Sequence, residues 1–136
     1  MKELFVPYAL AVKLKEKGFD ELCFRYHCKD NADRTGIKDW MSDNLYSEVQ
    51  NSSIGLGNVA APLYQQVVDW FREEHSLHIY LRDSIFETGV EYRWRISKIK
   101  MVMSIPEKIT GFSSSTSNQT YYEALDKAIE EALKLI

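Results

Sequence analysis

The chain has 136 residues, enough for one domain with its own core and short for two. Hydrophobic residues make up 45% and charged residues 27%, the balance of a globular chain rather than a disordered or fibrous one. A formal net charge of −3 disfavours a protein whose main task is gripping duplex nucleic acid, since phosphate neutralisation supplies most of that affinity; a local basic patch remains compatible with it.

The first stretch, MKELFVPYALAVKLKEKG, has an apolar run broken by Pro7 and followed at once by Lys13, Lys15 and Lys17. It lacks a small-x-small cleavage pattern, so it reads as an amphipathic helix from Pro7 to Lys17 rather than a secretory signal. Proline suits the start because its missing N–H would be unpaired there anyway. Leu10, Ala11 and Leu14 form the stripe, and Gly18 ends the helix with Phe19 returning on Leu14. LCFRYHCK, residues 22–29, alternates as a strand, with Leu22, Phe24, Tyr26 and Cys28 on one face and Cys23, Arg25, His27 and Lys29 on the other. Cys23 and Cys28 therefore point apart and do not pair, and two thiols without a disulfide framework fit a reducing cytoplasm.

Residues 30–60 read as a long loop with turn signals at both ends, of the kind that is often functional or mobile. Its apolar residues, among them Trp40, Met41 and Val49, point to partial packing, and NLYSEVQ is a candidate short strand. Trp40 is either a plug for the core or a contact anchor. A second proline-opened helix spans 62–75 with a stripe of Leu63, Val67, Trp70 and Phe71. A strand follows at 77–82, then a turn around Thr88 and Gly89. A third strand starts near Glu91, where Tyr92, Trp94 and Ile96 alternate with Arg93, Arg95 and Ser97. A one-residue change of phase near Ser97 and Lys98 signals a bulge or break. Residues 111–120 form a serine-rich connector. Thr120 and Glu123 have capping-box spacing ahead of a last helix that turns Leu125, Ile129 and Leu133 inward. No apolar stretch approaches the roughly 20 residues that cross a bilayer.

The order α–β–(long loop)–α–β–β–α predicts an α+β fold over residues 1–136. Three helices pack on one face of a mixed or antiparallel sheet of three or four strands. The strands at 77–82 and from 91 form a hairpin. The first strand lies parallel to the second, beside it or separated from it by the third. Strand parity then gathers Arg25, His27, His78, Tyr80, Arg82, Arg93 and Arg95 on the opposite face, with Lys98 and Lys100 extending it if the phase change carries them round. The basic residues concentrate on the strands and the acids in helices and loops.

Three readings of that face stay open. It is the solvated side of a sheet covered by long basic side chains. It is a platform on which arginine forks hold anions while tyrosine and histidine stack on bases. Or it is covered by the long loop or by a second subunit, since an uncovered sheet edge invites a homodimer.

No motif for catalysis, metal or cofactor stands out. His75, His78, His27 and a cysteine offer only a scattered ligand set for zinc. Cys23 and His27 share a strand face but are too far apart to form a dyad. The glycines of IGLGN lack the lysine and hydroxyl residue of a phosphate loop. The expectation is a protein that is not an enzyme and carries neither cofactor nor metal.

EKGFDELCFRYH, APLYQQVVDWFREEHSLHIYL and TYYEALDKAIEEALKLI together resemble small uncharacterised proteins carried by phages and integrated elements of gut bacteria of the Bacteroides group. The similar parts cover about half the chain and exclude residues 30–60. The resemblance implies a genomic context and no functional residue, since that family has no assigned activity. The function it suggests is a cytoplasmic, phage-related accessory protein of a mobile element that works by contact with a protein partner. The alternative is a small module that binds nucleic acid or another anion through the basic sheet face.

Overall fold

Glycine 18 stops the first helix, α1 (Tyr8–Glu16), as its sequence context requires. Its φ of +90° belongs to the left-handed region. That turn lets the Phe19 N–H donate to the Leu14 carbonyl at 3.0 Å and the Gly18 N–H to the Lys15 carbonyl at 3.1 Å, closing the last turn in a Schellman motif. Pro7 stands one residue before the helix as its cap. The computed structural model describes residues 4–28, 37–39, 48–55, 57–102, 105–113 and 120–136, with side chains of 37–39 and 101–113 excepted.

Among the described residues nine elements follow the α+β order expected, but the strands form two antiparallel sheets instead of one. The first holds β1 (Arg25–His27), β2 (Ile37–Asp39) and β3 (Val59–Ala60) in the order β2–β1–β3. The second holds β4 (Leu77–Phe86), β5 (Gly89–Val102) and β6 (Ile105–Ser113) in the order β4–β5–β6. The reason β1 does not join β4 and β5 is that the supposed loop of residues 30–60 supplies a partner for each of its edges. Tyr26 pairs with Lys38 on one side and with Ala60 on the other. Val49, in the candidate strand NLYSEVQ, bridges Cys23 through two hydrogen bonds of 2.8 Å. Trp40, Met41, Leu45, Tyr46 and Lys29 lie outside the described residues.

The chain divides into two compact units, Met1–Gln66 and Val67–Ile136. In the first, α1 lies against β3. Val6, Leu10, Leu14, Phe19, Cys23 and Val59 are buried. Asn51 is buried with them and is satisfied at both ends. Its Nδ2 donates to the Phe19 carbonyl at 2.8 Å, and its Oδ1 accepts from the Ala60 N–H at 3.0 Å. Gln50 Nε2 donates to the Asp20 carbonyl and the Ser52 N–H to Asp20 Oδ1, so three successive residues fasten the turn after Val49 to residues 19–20.

In the second unit, α3 (Tyr121–Leu133) begins at Thr120 with the full capping box. Thr120 Oγ1 accepts from the Glu123 N–H at 3.2 Å, and the Thr120 N–H donates to Glu123 Oε2 at 3.3 Å. Leu125, Ile129 and Leu133 are buried as expected, together with Ala124, Ala128 and Ala132. The helix lies against β4 and β5. Helix α2 (Tyr64–His75) ends at Ser76, whose φ of +56° swings the chain into β4 within one residue. The register of β5 against β6 shifts between Lys98 and Ile99, beside the expected change of phase. No helix of the described residues is long and apolar enough to cross a membrane.

Candidate functional site

Strand alternation fixes which side chains of the β4–β5 ribbon share a face. Leu77, Ile79 and Leu81 pair with Lys98, Ile96 and Trp94. Tyr92, in phase with Trp94, meets Tyr121 of α3 edge-on with ring centroids 5.9 Å apart. That side is therefore the one α3 covers. The other side carries His78, Tyr80 and Arg82 on β4, opposite Ser97, Arg95 and Arg93 on β5.

Five of the seven residues expected on a basic face are thus together: His78, Tyr80, Arg82, Arg93 and Arg95. The three arginines are exposed, Tyr80 is 48% exposed and His78 is half-buried. Arg82 stands directly opposite Arg93, and Tyr80 directly opposite Arg95. The His78 and Tyr80 rings lie 16° from parallel with centroids 6.2 Å apart. Glu91, opposite Ser84, brings one carboxylate to the same face toward the hairpin tip. Lys98 pairs with Leu77 and so falls on the α3 side of the ribbon, although it is exposed. Lys100 is exposed beyond the register shift.

Arg25 and His27 do not belong to this group. They sit on β1, in the other sheet. The Arg25 guanidinium lies 5.1 Å from the centre of the Phe5 ring, half-buried. The parity of this stretch is also the reverse of the one expected. Cys23 and His27 point into the core, while Leu22 and Phe24 are exposed, Phe24 by 62%. His27 is only 4% exposed because its polar edge finds a partner: Nε2 lies 3.1 Å from the Val6 carbonyl, which fixes it as the protonated nitrogen that donates. Tyr8 packs edge-on against the ring at 5.7 Å. Burial holds the imidazole below its ordinary pKa, against the smaller opposing pull of the Val6 carbonyl. A neutral core histidine cannot serve an anion-binding face.

The ribbon runs further than the alternation suggests. The expected strand stops at Arg82, yet β4 continues to Phe86. Only Glu87 and Thr88 connect the strands, and the positive φ falls on Gly89 at +139°. Phe86 shares the face of Tyr80 and Arg82, and Ile85 with Val90 the opposite one; all three are exposed, Ile85 by 78%. The pairing of β6 with β5 ends with Ser113 opposite Arg95. Among the described residues, Arg82, Arg93 and Phe86 therefore lie beyond the last β5–β6 pair.

Among the described residues no group of three His, Cys, Asp or Glu side chains is placed to hold a metal ion. His75 packs edge-on to Trp70 at 4.6 Å, and its pKa is lowered, first by burial. Cys23 is buried, donates to the Glu21 carbonyl at 3.4 Å, and has its thiol pKa pushed up to about 12, chiefly by burial and then by Glu21 and Asp20. Such a thiol is no nucleophile. The arrangement suits non-covalent anion recognition: three guanidiniums with two aromatic rings on one open face. Comparison with family models, curated proteins and solved structures returns no match for this chain.

Proposed function

We propose that this chain is a non-enzymatic binding module whose recognition element is the β4–β5 ribbon, and that its basic face takes nucleic acid or another polyanion. One observation carries the reading: the register sets Arg82 against Arg93 and Arg95 beside them on an exposed face. Like charges directly opposite on a sheet repel, so a face that keeps them is suited to a negative ligand. None of the three makes an ion pair within the described residues that would neutralise it.

The test is binding of random-sequence DNA and RNA, single- and double-stranded, followed by fluorescence anisotropy at low and moderate salt. The reading requires salt-sensitive binding at micromolar concentration that is lost when Arg93 and Arg95 are both changed to Glu. Unchanged binding by that double variant overturns it.

A second reading is favoured by Ile85 and Val90, paired and exposed at the hairpin tip on the face away from the arginines. Exposed apolar groups at a projecting tip suit contact with a protein. In this reading the chain is an accessory protein of a phage or mobile element, the context its resemblance implies, and a homodimer through an open strand edge is one form of it. Capture of a partner that is lost with Ile85→Asp and kept with the arginine variants separates it from the first. Both readings place the protein in the reducing cytoplasm, in keeping with Cys23 and Cys28 as free thiols.

A further inference from the structure

We infer that the ligand of the ribbon face is single-stranded nucleic acid, laid along β4 with a base held against Tyr80. The inference rests on the anion-binding reading and adds to it the class of ligand.

The rings give the reason. His78 and Tyr80 project from one face two residues apart, nearly parallel, with centroids 6.2 Å apart. A centroid separation of 6.2 Å at 16° is that of an offset-stacked pair, so the two rings form an aromatic platform along β4. A base can continue the stack on the exposed Tyr80 ring. Arg95, directly across from Tyr80, and Arg82, two residues along β4, flank that position with guanidiniums for the adjoining phosphates. Phe86 offers another exposed ring further along the same face. From His78 to Phe86 a strand covers roughly 27 Å, room for about four nucleotides, the lower end of the range for such platforms.

Duplex fits this face poorly. Its bases are stacked on one another, so the rings would gain nothing from it and binding would fall to the arginines alone. An acidic chain with three arginines on its binding face has little electrostatic attraction to spend on a duplex. Stacking on exposed bases supplies affinity that does not depend on counterion release. Glu91 on the same face sharpens the point: between the arginines and Phe86, a base is better tolerated there than a phosphate.

The experiment compares four probes by anisotropy or competition at low salt: labelled oligothymidylate, oligouridylate, a mixed-sequence duplex of the same length, and heparin, which has charge without bases. Tyr80→Ala, Tyr80→Phe and the Arg82→Glu/Arg93→Glu double variant are measured beside the parent protein. Tyr80 is exposed, so its replacement leaves the fold intact, and the phenylalanine variant controls for this. The expected result is tightest binding of the single strands, weakened about tenfold by Tyr80→Ala and kept by Tyr80→Phe, with a log–log salt slope of about −2 for three phosphate contacts. If heparin and duplex bind as well as the single strands and Tyr80→Ala changes nothing, the face binds anions and the single-strand assignment is wrong. If no probe binds even at low salt, both this assignment and the anion-binding reading fall.

Discussion

Arg82 and Arg93 face each other across the β4–β5 ribbon, two like charges at paired positions of neighbouring strands. Side chains so placed have Cβ atoms roughly 5 Å apart, and like charges there cost stability. The chain retains that cost at an exposed position where almost any residue would fit.

Arg82→Glu converts the repulsion into an attraction. Chemical denaturation of this variant is expected to show a gain of about 0.5 kcal/mol, within the range for cross-strand pairs. Affinity for anionic ligands is expected to fall in the same variant. A stabilised protein with undiminished binding would mean that the pair serves no ligand.

His27 makes stability depend on pH in a defined direction. Its folded pKa lies below the ordinary histidine value, because burial disfavours the charged ring. The unfolded chain then binds a proton more readily than the folded one below that ordinary value. The stabilisation is fully present above it and is lost as pH falls toward the lowered folded pKa. Denaturation midpoints measured from pH 8 down to pH 4 should fall through this window. His27→Gln should flatten the fall, leaving the part owed to His75, whose pKa is lowered in the same direction.

The two cysteines should label at different rates. Cys28 is half-buried, whereas Cys23 is fully buried with a thiol pKa near 12. Mass spectrometry after brief iodoacetamide treatment at pH 8 should find Cys23 unmodified in the native protein and modified once it is unfolded. Modification of Cys23 as fast as Cys28 in the native state would mean that the first unit opens readily.

The ends of α1 and α2 are built on opposite choices. Gly18 and Ser76 both adopt positive φ, but only glycine does so without a steric penalty. No atom lies within 4 Å of a Cβ added to Gly18, so Gly18→Ala should cost about 1 kcal/mol through backbone strain alone. Ser76→Gly should return about 0.5 kcal/mol, the strain relieved less the entropy that glycine adds to the unfolded chain. Thermal melts of the two variants should therefore move in opposite directions.

The helices were legible because 3.6-residue periodicity repeats over two or more turns, and their caps carry chemistry of their own, as Thr120 and Glu123 show. The hairpin face was legible for a similar reason: ten paired positions give period two enough length to stand out. Strands β2 and β3, three and two residues long, contain no period to read. Strand β6 was missed because residues 111–120 read as a serine-rich connector, although 111–113 belong to the strand; its Pro106 is compatible with a place at the sheet edge. The inverted parity of residues 22–28 has another cause. Alternation separates two faces without saying which is inside, and the buried face there holds a histidine whose Nε2–H finds its partner in the sequence-distant Val6 carbonyl. Arg25 and His27 joined the expected site through that inversion and through the assumption of a single sheet.

Asn51 holds the Phe19 carbonyl and the Ala60 N–H with the two ends of one amide. It is followed by Ser52, a residue small enough to let its backbone nitrogen attack that amide when the local structure opens. Deamidation would replace the donor with a second carboxylate oxygen facing the Phe19 carbonyl, turning a hydrogen bond into a repulsion inside the first unit. While the turn is closed, the same two bonds hold the amide in place, and the Ser52 N–H is engaged by Asp20 Oδ1. Chemical ageing at this asparagine would therefore keep time with local opening, and each molecule that aged would be less able to close again.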